Sequence, residues 1–141
     1  MAVSDSLTVT VNAPSDQVLA KLRDVGNQST WFPGNLESEV LSTNDDGLVA
    51  QARLVNDVKV AKDEFVLDYT HSDDGFSWTL NAPSKAQKTQ NGSWKCVAKG
   101  DKTDVTFSLE IDTTLPLPGF IQKKTLKDTL KNSTKALQGQ F

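Results

Sequence analysis

Residues 115–138 read LPLPGFIQKKTLKDTLKNSTKALQ, and the reading of this stretch decides the fold. Pro116, Pro118 and Gly119 stop any preceding strand, because proline lacks the N–H that a ladder requires. No proline or glycine follows until Gly139. Leu126, Leu130, Ser133 and Leu137 recur at i, i+4, i+7 and i+11, which predicts an amphipathic helix to about Gln138, with Phe141 extending the stripe. Lys124, Lys127, Lys131 and Lys135 gather on another face, read as solvated or, alternatively, as a stripe for a membrane surface. Phe120 and Ile121 fall off the leucine stripe and either anchor the helix start or form a lip. About 20 residues make a helix of ~30 Å. A ten-residue strand is equally long, so the helix can cross a whole sheet.

The sequence before it supplies that sheet. Leu7, Val9 and Val11 alternate with polar residues, as in a half-buried strand. Pro14 and Ser15 open a short helix carrying Val18, Leu22 and Val25, which Gly26 and Asn27 end. Turn signals at 45–47, 56–57 and 73–75 then separate strands over 36–43, 48–55, a longer run ending near Tyr69, and 76–80. Residues 84–98 are read as one long strand with a bulge at Asn91-Gly92, the alternative being a hairpin turn there. Val105, Phe107, Leu109 and Ile111 give the clearest alternation. Strands segregated from helices predict an α+β domain spanning residues 1–141, with about six to seven antiparallel strands and the helices on one face.

Composition narrows the function classes. The 141 residues carry a formal charge of −3 with acids and bases interspersed, so no basic stripe points to nucleic acid. No apolar run reaches the ~18 residues of a membrane span, so stable membrane insertion is not expected. The opening MAVSDS lacks the pattern of a secretory signal, and Cys96 is the only cysteine. A reducing, cytoplasmic setting is therefore expected. The glycosylation-type triplets at Asn27, Asn91 and Asn132 then read as chance matches.

The element order resembles the START-related (SRPBCC) superfamily, specifically its small polyketide-cyclase or lipid-transport members. The residues carrying the resemblance are Asn12-Ala13-Pro14 with Val18, Trp31, Lys62-Asp63 with Tyr69, Gly92-Ser93-Trp94, 103–106, and 115–119. The resemblance implies a helix-grip fold, a curved sheet wrapped around the C-terminal helix with a cavity between them. It implies binding of lipids, sterols, polyketides, quinones or plant hormones, with a few members acting as cyclases or hydrolases.

The chemistry-bearing residues are few. His71, beside a turn, reads as exposed, and Cys96 as a small buried residue. One histidine and one cysteine cannot supply the common zinc sets, so no metal is expected, and no cofactor motif is present. Asp45-Asp46 and Asp73-Asp74 read as solvated turn acids. Asp63 shares the face of Phe65, Leu67 and Tyr69; it is read as a strand-end acid, exposed or paired with Lys62 or Arg53, or alternatively as a polar group at a cavity mouth. No catalytic set is assigned.

The candidate ligand-binding residues are Trp31, Phe32, Leu54, Phe65, Tyr69, Trp78, Leu80, Trp94, Phe107 and Phe120. They either fill a core or line a pocket. The expected function is binding or transport of a hydrophobic small molecule. The alternatives are a cyclase or dehydratase using Asp63 or Tyr69, and a protein-interaction module.

Overall fold

The computed structural model describes residues 2–58 and 61–141. Strand β1 (Val3–Val11) leads into α1 (Ser15–Arg23) and a short 3-10 helix (Val25–Thr30). Six strands follow: β2 (Asn35–Thr43), β3 (Val49–Asp57), β4 (Lys62–His71), β5 (Gly75–Leu80), β6 (Gln87–Lys99) and β7 (Lys102–Thr113). Helix α2 (Gly119–Gln138) closes the chain. The strands form one antiparallel sheet in the order β1-β7-β6-β5-β4-β3-β2. This is the expected α+β helix-grip arrangement. Each strand pairs with its sequence neighbour except β1, which returns to the edge beside β7.

Register assigns every side chain to a face. Leu7 pairs with Phe107, Trp94 with Phe107, Phe76 with Trp94, Tyr69 with Trp78, and Leu54 with Phe65. All of these point to the concave face, because side chains alternate strictly along a strand. The convex face carries the polar set. One row of it, Ser6-Ser108-Ser93-Ser77-Thr70, crosses five strands.

The helices share the concave side unequally. Helix α2 runs along β1 and β7, α1 lies over β6 and β7, and the 3-10 helix covers β2. Arg23, the last residue of α1, reaches the β4–β5 turn, where its Nη2 donates to Ser72 O at 2.5 Å. Leu126, Leu130 and Leu137 of α2 are buried, as their spacing predicts, while Lys124, Lys127, Lys131 and Lys135 are exposed. Near its C-terminal end α2 is tied to β1 by Gln138 Nε2, which donates to Thr10 O at 2.9 Å. Phe141 does not extend the stripe: the helix ends at Gln138, the helical phase is lost, and the ring is exposed.

Three local expectations are corrected. Strand β1 begins at Val3, before the clear alternation. The chain does not stop turning at Gly26 but continues as the 3-10 helix, where Gly26 packs close to Val40. Residues 87–99 form one strand as expected, but its bulge lies between Gln87 and Thr89; pairing through Asn91 and Gly92 is regular. Gly92 has a different purpose. A Cβ there would meet the Trp78 ring at 2.3 Å, so glycine lets the indole lie flat over β6. Gly92→Ala is expected to lower stability by about 1–3 kcal/mol through overpacking, read as a lower urea midpoint with an unchanged slope.

Candidate functional site

The concave face gathers most of the aromatic residues into one connected cluster. Trp94 stacks on Phe107 with ring centroids 4.0 Å apart. Phe107 meets Trp78 at 6.2 Å and Phe32 at 6.1 Å, and Trp31 reaches Trp94 at 6.5 Å. Trp78 continues to Tyr69 at 6.1 Å and Phe76 at 5.8 Å. The floor comes from alternate positions of β4 to β7. The side wall comes from Trp31 and Phe32, which follow the 3-10 helix on a turn rather than on the sheet.

The ten candidate residues divide into three groups. Leu54, Phe65, Trp78, Trp94 and Phe107 are buried. Trp31, Phe32, Tyr69 and Leu80 are half-buried and pack against that core, as do Leu7, Val9 and Ile111. Phe120 is 75% exposed at the start of α2 and, among the described residues, joins no ring contact. Phe76 belongs to the cluster but is not among the ten; its alternation with Trp78 and Leu80 is the signal that identifies it. Two open depressions lie elsewhere. One, of about 570 Å³, is the serine-lined trough of the convex face, and the other, of about 260 Å³, surrounds the β4–β5 turn.

A buried polar chain supports the floor. The Trp78 indole N–H donates to Gln90 Oε1 at 2.8 Å, Gln90 Nε2 donates to Gln87 Oε1 at 2.5 Å, and Gln87 Nε2 donates to Asp63 Oδ2 at 3.0 Å. Ser84 Oγ and the Ala86 amide also donate to Asp63, at 2.9 and 3.1 Å. The direction of this chain is imposed from both ends. A carboxylate only accepts and an indole N–H only donates, so both glutamine amides must point their nitrogens toward Asp63. Asp63 is therefore neither exposed nor paired with Lys62 or Arg53, nor at a cavity mouth. It is 0% exposed and secures the loop 81–86 that joins β5 to β6. Arg53 instead pairs with Glu37, Glu39 and Glu64 on the convex side. Thr113 Oγ1 donates to Ala86 O at 2.8 Å, which ties the same loop to β7 just before α2.

Other polar groups have distinct environments. The Tyr69 hydroxyl has no hydrogen-bond partner among the described residues, and burial pushes its phenol well above the usual range. Ser133 Oγ, on the buried face of α2, is likewise unpartnered. His71 is half-buried, not exposed: its Nε2 lies 2.7 Å from Val49 O and its ring sits 5.3 Å from Phe76. Cys96 is buried as expected, and desolvation pushes its thiol up to about 11 from an ordinary value of 9.0. No group of three or more metal-ligating side chains occurs among the described residues.

The thiol shift gives a pH dependence. Folding favours the protonated thiol, so its contribution is complete below pH 9.0 and is lost as pH rises toward about 11. The urea midpoint is expected to fall across that window, and to fall less in Cys96→Ala. Thiol reagents should label Cys96 only on unfolding.

Comparison with known proteins places this geometry. A family model described as polyketide cyclase / dehydrase and lipid transport matches residues 3–140. No curated protein matches by sequence. Among solved structures, a START superfamily protein from Mycobacterium smegmatis is 24% identical, with a TM-score of 0.90 over 97% of this chain and 95% of that one. The Zhui aromatase/cyclase from Streptomyces sp. R1128 is 17% identical, with a TM-score of 0.75 over 99% and 93%. A STAR-related lipid transfer protein from Xanthomonas axonopodis is 21% identical, with a TM-score of 0.74 over 97% and 84%. At these identities the structural matches establish the fold, and the family model establishes the lineage: the chain belongs to the polyketide cyclase/dehydrase and lipid transport family.

Proposed function

We propose that this protein binds a hydrophobic small molecule, such as a lipid or polyketide, against the aromatic floor of the concave face. The observation that carries the reading is the half-buried margin formed by Trp31, Phe32, Tyr69 and Leu80, which packs against the buried aromatic cluster. Trp31 and Phe32 sit on a turn, so they can move aside for a ligand more easily than a sheet residue can. Each ligand methylene removed from water contributes ~0.8 kcal/mol, so a ten-carbon body supplies about 8 kcal/mol before the costs of association. The Trp78 N–H is already used by Gln90, whereas the Tyr69 hydroxyl has no partner among the described residues and can orient a ligand oxygen.

Binding is favoured over catalysis by where the titratable groups sit. Asp63 receives three donors, and the Cys96 thiol is held protonated. A cyclase-type reading rests on Tyr69 alone.

Native mass spectrometry of the purified protein, followed by solvent extraction, tests the binding reading, together with thermal shifts across a panel of fatty acids, polyketide-like phenols and quinones. A bound species or a saturable rise in Tm is expected. A ligand-free protein with no shift across the panel would overturn it.

A further inference from the structure

The start of α2 exposes apolar surface that none of the described residues covers. Phe120 is 75% exposed, Ile121 38% and Leu117 38%. These residues form one knuckle, where the segment 115–118 turns into the helix. The helix behind it is basic: α2 holds five lysines and one aspartate, in a chain whose formal charge is −3.

The two features are aligned. Phe120, Lys124, Lys127, Lys131 and Lys135 stand at i, i+4, i+7, i+11 and i+15, which places them on one helical face. That face points away from the buried Leu126, Leu130 and Leu137. Among the described residues, Lys124 alone on this face has an ion-pair partner, Asp128 at 3.1 Å, with both side chains more than half exposed. Lys85 lies close to the knuckle, because Thr114 Oγ1 donates to its carbonyl. A solvated helix face accounts for the lysines but not for a phenylalanine at their head.

We propose that this face of α2 docks on an anionic membrane surface, with Phe120 and its apolar neighbours dipping into the interfacial region and the lysine ridge lying over the headgroups. An exposed aromatic at one end of a cationic ridge matches a surface that is apolar below and negatively charged above. The contact is peripheral: among the described residues no helix is long and apolar enough to cross a membrane.

The test is co-sedimentation with phosphatidylcholine vesicles, with and without phosphatidylglycerol. Binding is expected only with the anionic lipid, and should weaken as salt rises. Each lysine near the surface contributes about a fivefold change in affinity, so Lys124→Glu, Lys127→Glu and Lys131→Glu combined should lose about a hundredfold or more. Phe120→Ser should weaken binding without changing its salt dependence. Phe120→Trp provides a second readout: the emission of the introduced indole should shift to the blue on adding anionic vesicles. The proposal is overturned if vesicles are not bound, if neutral vesicles bind equally well, or if the emission of the Phe120→Trp variant stays unchanged while the protein sediments. Binding by an acidic protein without vesicle binding would assign the face to that partner instead.

Discussion

Replacing Asp63 with alanine is expected to lower stability by about 3–5 kcal/mol, because two or three buried donors would then face a void at about 1–3 kcal/mol each. That is a large share of a typical domain's total of about 5–15 kcal/mol. The affected donors are Ser84 Oγ, the Ala86 amide and Gln87 Nε2. Asp63→Asn separates charge from hydrogen-bond direction. Its new NH2 would confront Gln87 Nε2, so Gln87 must flip, then Gln90, leaving the Trp78 N–H against another NH2 group. The asparagine variant should therefore lose about 1–3 kcal/mol, the cost of one unsatisfied buried donor, and should move the Trp78 indole N–H resonance. Urea unfolding measures the first effect and the indole region of a nitrogen–proton NMR spectrum the second. A cost below about 1 kcal/mol for Asp63→Ala would remove the polar chain as a structural support.

The second large effect concerns affinity. Trp31→Ala is expected to weaken hydrophobe binding by about 2 kcal/mol, close to thirtyfold, through the apolar area it takes from the ligand. Its stability cost should be smaller than that of Phe107→Ala, because Trp31 is half-buried on a turn and Phe107 is 1% exposed. Titrating both variants with a fluorescent fatty acid, alongside urea melts, distinguishes them. Equal losses of affinity and stability at Trp31 would mark it as core.

Much of the fold is legible in the sequence because it depends on local patterning. The leucine spacing of α2, the Asp-Gly turns and the Val105–Ile111 alternation each act within a few residues. Asn91-Gly92 misleads because glycine signals a turn or bulge locally, whereas here it answers to Trp78 on the neighbouring strand. Asp63 is legible as an inward-facing acid but not as a satisfied one. Its partners Ser84, Ala86 and Gln87 lie more than 20 residues away, and only tertiary packing brings them together. Gln87 and Gln90 give no signal either, being polar residues in a segment that reads as too polar for a core strand. Residue type groups Phe120 with the candidate ligand-binding aromatics, but the phase of α2 turns it outward. Turn neighbours mark His71 as exposed, while strand parity carries its ring to the concave face beside Phe76.

The central claim, that an apolar ligand sits on the aromatic floor, is tested most directly by following the three indole N–H resonances during a ligand titration. Trp31 lies at the margin, Trp78 on the floor with its N–H held by Gln90, and Trp94 on the same floor, stacked on Phe107. Saturable shifts at one-to-one stoichiometry, largest at Trp31 and Trp78, are predicted. A ligand that binds and leaves all three resonances unmoved would place the site elsewhere and contradict the account.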